Sequence, residues 1–188
     1  AGYQFRFLER KIPAFPGQNY RLTELQAALS LGQLAKMPAI LQRTRENKRR
    51  LVERLKAQPK IELAPVFGTE RDLGVSLVFF VADEEKARKV AEALTAEGIP
   101  SFQVYDSRAR DQHVYVNWEF LMAKRDPWGG SFPWNLAGED TRDYSPSTCP
   151  VTLDLLSRAV QIHLNHLVTD GDLQDIEAAI DKVAFHLL

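Results

Sequence analysis

Cysteine is almost missing from this chain: Cys149 stands alone, so no internal disulfide can form and no cysteine pair is available for metal or redox chemistry. Set between Thr148 and Pro150, it reads as a reduced, unreactive thiol. Long apolar runs are missing too, since no stretch approaches the ~20 residues that a membrane-crossing helix needs. The opening residues do not read as a signal peptide, and with the reduced thiol they lead us to expect a cytoplasmic chain without a membrane partner. Nor does charge of one sign accumulate. With 24 Lys and Arg against 25 Asp and Glu the formal net charge is −1, which leaves no general basic field for nucleic acid. His163 and His166 lie three apart without an acidic third ligand, so no metal site is expected.

What is present is apolar material, 45% of 188 residues, enough for one domain with its own core plus an arm. Residues 1–21 read as an extended arm, broken by Pro13, Pro16 and Gly17. Its Phe5, Phe7, Leu8, Ile12 and Phe15 are too irregular for a core of their own and should lie against another domain or subunit. Residues 22–58 read as one long linking helix. Leu22, Leu25, Leu29, Leu34 and Met37 keep helical spacing, Pro38 should kink or restart the helix, and Leu41, Thr44, Leu51 and Leu55 carry it to a stop near Pro59. Residues 59–188 read as a small α/β domain. Val75 to Val81 has strand composition; Asp83 caps a helix with Ala87, Val90, Ala91 and Leu94 on one face; Gly98 closes it before a strand from Ile99 to Tyr105. A further strand near Ala159 to Leu164 and a last helix from Asp170, bearing Leu173, Ile176, Ile180 and Val183, complete an open α/β sandwich. A ferredoxin-like interaction or regulatory module without catalysis satisfies the same pattern.

Four features bear on chemistry. In Gly17-Gln18-Asn19-Tyr20-Arg21-Leu22-Thr23-Glu24-Leu25-Gln26, Thr23 and Gln26 have capping-box spacing, which fixes a helix start and puts Asn19 and Arg21 just upstream of it. An amide and a guanidinium beside a positive helix end suit a phosphate or carboxylate, but the same residues also suit simple capping. Between Arg43 and Lys56 seven bases face only Glu46 and Glu53, spread around the helix without interleaved aromatics; this reads as a solvated face rather than a nucleic-acid surface. The long loop 126–150 carries Trp128, Phe132, Trp134 and Tyr144 near Asn135 and Arg142. These would stack on a sugar or cyclitol ring, Trp134 being the candidate contact, or else pin the loop to the core. Finally, His113, Tyr115 and Asn117 alternate as on a strand, which would put all three on one side to meet a substrate, with a structural role as the plainer alternative.

The wording of several of these segments resembles one family. Gly17-x-Asn19-Tyr20-Arg21-Leu22-Thr23-Glu24-Leu25-Gln26-Ala27-Ala28-Leu29, then Gln33-Leu34, Arg43-Thr44-Arg45-Glu46-Asn47, Glu97-Gly98-Ile99, His113-Val114-Tyr115 with Asn117-Trp118, Cys149-Pro150-Val151-Thr152 and Thr169-Asp170-Gly171-Asp172 look like the DegT/DnrJ/StrS sugar aminotransferases. The resemblance runs through nearly the whole chain. It implies the small C-terminal domain of a fold-type I enzyme dependent on pyridoxal 5′-phosphate, which converts a keto-sugar, nucleotide-linked, or a keto-cyclitol to its amino derivative with glutamate or glutamine as donor. It also implies a larger N-terminal domain, a homodimer, Asn19 reaching the cofactor phosphate of the neighbouring subunit, and Arg21 holding a carboxylate or phosphate of the substrate. His113 and Tyr115 stay candidate substrate contacts on their alternation alone. The family's Schiff-base lysine lies a few tens of residues upstream of Asn-Tyr-Arg, and Lys11 is the sole lysine before Asn19 and does not match it. Without that amine the chain is expected to be inactive alone. A processed chain, a trimmed fragment and half of a split enzyme all fit. The sequence departs from the family at Ile162-His163-Leu164-Asn165-His166, where a Leu-Pro-Leu-His-Pro-like run is common.

Overall fold

The computed structural model describes residues 22–66, 68, 71–109, 111–126, 128–136 and 144–188. The expected arm over 1–21, with Asn19 and Arg21, lies outside the described residues. The described chain divides into two compact units, one formed by Leu22–Asp106 and Asp154–Leu188, the other by Ser107–Leu153.

The first unit opens on the capping box that the spacing predicts. The Thr23 N–H donates to Gln26 Oε1 at 2.8 Å, the Gln26 N–H donates to Thr23 Oγ1 at 3.2 Å, and helix α1 runs over Glu24–Leu34. A turn at Ala35 and Lys36 separates it from α2, Met37–Leu55, and Pro38 sits in the first turn of α2, where its missing N–H removes no helical bond. The kink expected at the proline therefore falls just ahead of it. The apolar spacing of α1 covers nothing in this unit: α1 has no buried residue, and Leu25 is 82% exposed.

Four antiparallel strands make the sheet, in the order β1-β2-β4-β3: β1 Glu62–Leu63, β2 Ser76–Phe80, β3 Ser101–Gln103 and β4 Ala159–His163. Helix α3, Glu84–Ala96, connects β2 to β3; it is capped by Asp83, whose Oδ1 accepts from the Lys86 N–H at 2.8 Å. Register decides which face is core. Leu77 stands opposite Ile162 and Phe79 opposite Val160, so these four share one side, and all are at most 1% exposed. Onto them pack Leu51 and Leu55 of α2, Val90 and Leu94 of α3, and Leu173, Ile176, Ile180 and Val183 of the last helix, Asp170–Leu187. The opposite face carries Phe102 and His163, whose rings lie 5.1 Å apart. The sequence pattern finds β2, β3, β4, α3 and the last helix. It does not announce β1, which is two residues long.

Several bases of this largely exposed face of α2 meet acids from elsewhere in the unit. Arg50 reaches Asp170 and Glu177 of the last helix, each at 3.3 Å, Arg54 reaches Asp181 at 2.5 Å, and Lys48 pairs with Asp72 at 2.6 Å. Exposed pairs of this kind contribute little singly, on the order of 0–1 kcal/mol. The buried polar atoms of α2 matter more. Thr44, 1% exposed, donates its hydroxyl to the Leu73 carbonyl at 2.6 Å, and Arg45 Nε donates to the Asp72 carbonyl at 2.6 Å. Asn47, 2% exposed, donates to the carbonyls of Val168 at 3.2 Å and Asn165 at 3.4 Å. One helix thus holds the segment entering β2 and the segment leaving β4.

Gly74 makes the first of these contacts possible. Its φ is +72°, and a Cβ there would lie 2.5 Å from the Thr44 carbonyl carbon and 2.6 Å from the Arg45 nitrogen, both backbone atoms that cannot turn aside. Gly74→Ala is expected to destabilise the unit by about 3 kcal/mol or more, read as a lower denaturant midpoint; an unchanged midpoint would show that the segment is not seated on α2. Asp72 adds a pH dependence. Burial raises its pKa, but the Lys48 hydrogen bond, the Gly74 N–H and the charges of Lys48 and Arg45 outweigh burial and hold it below the ordinary 3.8. A depressed carboxylate stabilises fully above its unfolded pKa and loses that contribution as pH falls through the folded one. Acid titration of stability should therefore show a loss beginning below about pH 4 that Asp72→Asn removes.

Candidate substrate site

Within the Ser107–Leu153 unit the chain turns on Asp111. Its carboxylate Oδ1 accepts the backbone N–H of His113 at 2.8 Å and lies 2.8 Å from His113 Nδ1, while its carbonyl accepts Asn117 Nδ2 at 2.7 Å. The Trp118 indole N–H donates to the Gln112 carbonyl at 2.7 Å. A short polar side chain that satisfies nearby backbone in this way competes with strand pairing. Residues Tyr115–Asn117 accordingly form a 3₁₀ turn, followed by α4, Glu119–Met122, and the expected extended segment is absent. His113, Tyr115 and Asn117 do not share a side.

Each of the three does something different. His113 has a side chain 75% exposed, next to Val114, which is 4% exposed. Asn117 is spent on the turn. Tyr115 sends its hydroxyl across to the second half of the unit, donating to the Pro146 carbonyl at 2.6 Å and accepting the Cys149 N–H at 3.0 Å. It thereby clamps the 3₁₀ turn Pro146–Thr148 and the start of α5, Pro150–Arg158, a helix the sequence pattern does not announce.

The aromatic loop is ordered at its near end by another aspartate. Asp126 Oδ1 accepts the Trp128 N–H at 2.8 Å and the Gly130 N–H at 2.9 Å, which presents Trp128 at 89% exposure. Trp134 is half-buried within a run of turns, with the Asn135 N–H bonded to the Ser131 carbonyl at 3.2 Å. Among the described residues no hydrogen bond or ring contact links Trp134 to His113 or Tyr115. The Lys124 ammonium lies 5.4 Å from the centre of the Tyr144 ring. Arg142 lies outside the described residues. The residue that sequence reasoning missed is Asp111. Its signal is an aspartate two positions before a histidine, a spacing at which the carboxylate can hold both the backbone and the ring of that histidine.

At the helix start in the other unit, the Thr23 N–H and the Gln26 N–H are closed on each other's side chains, so they serve the cap. Among the described residues no group of three or more His, Cys, Asp or Glu is placed to hold a metal ion, and no helix is long and apolar enough to cross a membrane.

Comparison with known proteins bears on what such a chain does. Residues 2–126 match the model of the DegT/DnrJ/EryC1/StrS aminotransferase family. Among the solved structures that share the fold are three enzymes. PseC of Helicobacter pylori, an aminotransferase involved in the biosynthesis of pseudoaminic acid, is 17% identical with a TM-score of 0.59, over 92% of this chain and 40% of its own. A 3-amino-5-hydroxybenzoic acid synthase is 18% identical with a TM-score of 0.62, over 97% and 47%. The PLP form of the putative sugar aminotransferase Spr1654 of Streptococcus pneumoniae is 18% identical with a TM-score of 0.60, over 99% and 44%. This chain therefore spans less than half the length of the structures it matches.

Tyr115→Phe should leave the unit folded but free the Cys149 amide. Its hydrogen exchange is expected to quicken by roughly five-fold, the loss of about 1 kcal/mol, and an unchanged rate would mean the hydroxyl clamps nothing.

Proposed function

Since this chain belongs to the DegT/DnrJ/EryC1/StrS aminotransferase family, we propose that it is the C-terminal part of a pyridoxal phosphate-dependent enzyme that aminates a keto-sugar, nucleotide-linked, or a keto-cyclitol. The observation that carries this reading is the family match over residues 2–126, which takes in the Asn19-Tyr20-Arg21 segment. Glutamate or glutamine is the proposed donor, and a homodimer in the cytoplasm the proposed working form.

Pyridoxal phosphate supplies the electron sink for amino transfer, and it needs a lysine amine, a cradle for its phosphate and a partner for its ring nitrogen. Lys48, Lys56, Lys89 and Lys182 are paired with Asp72, Glu53, Glu85 and Glu97, and the helix start at Thr23 is closed on itself. The seat is proposed to come from a larger N-terminal domain, with Asn19 contributing to the phosphate of the neighbouring subunit. This chain's own part is substrate recognition. Arg21 is the proposed holder of a substrate carboxylate or phosphate, His113 offers an exposed ring to substrate hydroxyls, Trp134 offers an apolar face, and Tyr115 acts through the loop it clamps.

The test is made with two preparations. The isolated chain should show no pyridoxal absorbance, whereas the full-length protein should show it and release 2-oxoglutarate from glutamate in the presence of a keto-sugar or keto-cyclitol acceptor. Asn19→Ala in that protein should weaken cofactor retention about ten-fold. A full-length protein that neither takes up the cofactor nor transfers an amino group sinks the reading.

A further inference from the structure

The contact between Asp111 and His113 says more than that the two residues are neighbours. An ionised carboxylate has only acceptor sites, so with Asp111 Oδ1 2.8 Å from Nδ1 the ring nitrogen must be the one that carries the proton. The same oxygen accepts the His113 backbone N–H at 2.8 Å, so ring and backbone are held from one point. Asp111 is itself fixed: its carbonyl accepts Asn117 Nδ2 at 2.7 Å and the Val114 N–H at 3.2 Å, its N–H donates to the Ala109 carbonyl at 3.1 Å, and its side chain is 33% exposed. The neutral imidazole then has one free nitrogen, Nε2, which is an acceptor. Among the described residues nothing bonds to it, and the ring is 75% exposed.

We propose that Asp111 is a positioning residue that locks His113 as the Nδ1–H tautomer, so that Nε2 stands ready to accept a hydrogen bond from a hydroxyl group of the substrate. This rests on the reading above, in which the acceptor substrate is a polyhydroxylated ring. It assigns His113 a sense of recognition: it selects a donor, a hydroxyl, over a carbonyl or ether oxygen at the same position. A site built to bond a hydroxyl rejects the analogue that lacks it, because its own polar atom is then left unpaired.

Two measurements on the full-length protein test this. The first is nitrogen-15 NMR of labelled histidines at mildly alkaline pH, with His113→Ala to assign the signal. His113 should show a protonated Nδ1 and a bare Nε2 in the unaltered protein, lose that pattern in Asp111→Ala, and keep it in Asp111→Asn, whose amide oxygen still accepts from Nδ1. A wild-type ring protonated at Nε2 alone overturns the proposal. The second is steady-state kinetics. Asp111→Ala and His113→Ala should each raise KM for the keto acceptor about ten-fold without changing KM for the amino donor, and Asp111→Asn should restore most of the loss. If His113→Ala raises that KM while Asp111→Ala does not, the positioning role is wrong and the substrate contact stands. If neither moves it, the placing of substrate at His113 is wrong as well.

Discussion

The Leu22–Asp106 and Asp154–Leu188 unit depends on the docking of two irregular segments onto helix α2 through buried polar atoms. Thr44 takes the Leu73 carbonyl and Asn47 takes those of Asn165 and Val168, with both side chains almost wholly removed from solvent. Unpaired carbonyls there would each carry a desolvation penalty of roughly 1–3 kcal/mol, so the pairing decides where these segments can lie. The consequence reaches the sheet. The first segment leads into β2 and the second leaves β4, and these two central strands set the register that turns Leu77, Phe79, Val160 and Ile162 toward the helices. The ion pairs between α2 and the last helix add to a geometry already set by those hydrogen bonds.

A comparable device organises the Ser107–Leu153 unit on a smaller scale. Asp111 closes the turn before the 3₁₀ helix, and Asp126 closes the turn that carries Trp128. Both use a carboxylate to satisfy backbone N–H groups that no strand or helix pairs. The result is a set of side chains presented from irregular backbone with defined direction, which is where recognition residues are commonly found. Tyr115 joins the first half of the unit to the stretch from Pro146 to Cys149, so the position of that loop depends on one hydroxyl.

Much of this architecture was legible before any coordinates. Capping residues Thr23, Asp83 and Thr169 mark three helix starts, because a cap is a local exchange between a side chain and N–H groups two or three residues on. The strands β2 and β4 and the apolar faces of α3 and the last helix follow from periodicity. One reading failed for an identifiable reason. Alternation of His113, Tyr115 and Asn117 imitates a strand, but the Asp111 oxygens capture the backbone first. The acids that meet the bases of α2, Asp72, Asp170, Glu177 and Asp181, lie far away in sequence, so no local pattern announces them.

By itself the sequence determined three helix starts, the class of fold, the family and the absence of an internal disulfide, since each rests on short-range spacing or on composition. Tertiary structure alone decided which polar side chains of α2 are buried, that Gly74 must lack a Cβ, that Tyr115 clamps a loop and that α1 keeps its leucines uncovered in this unit. These outcomes depend on which distant backbone atoms come within about 3 Å of a given side chain, and no local pattern encodes that distance.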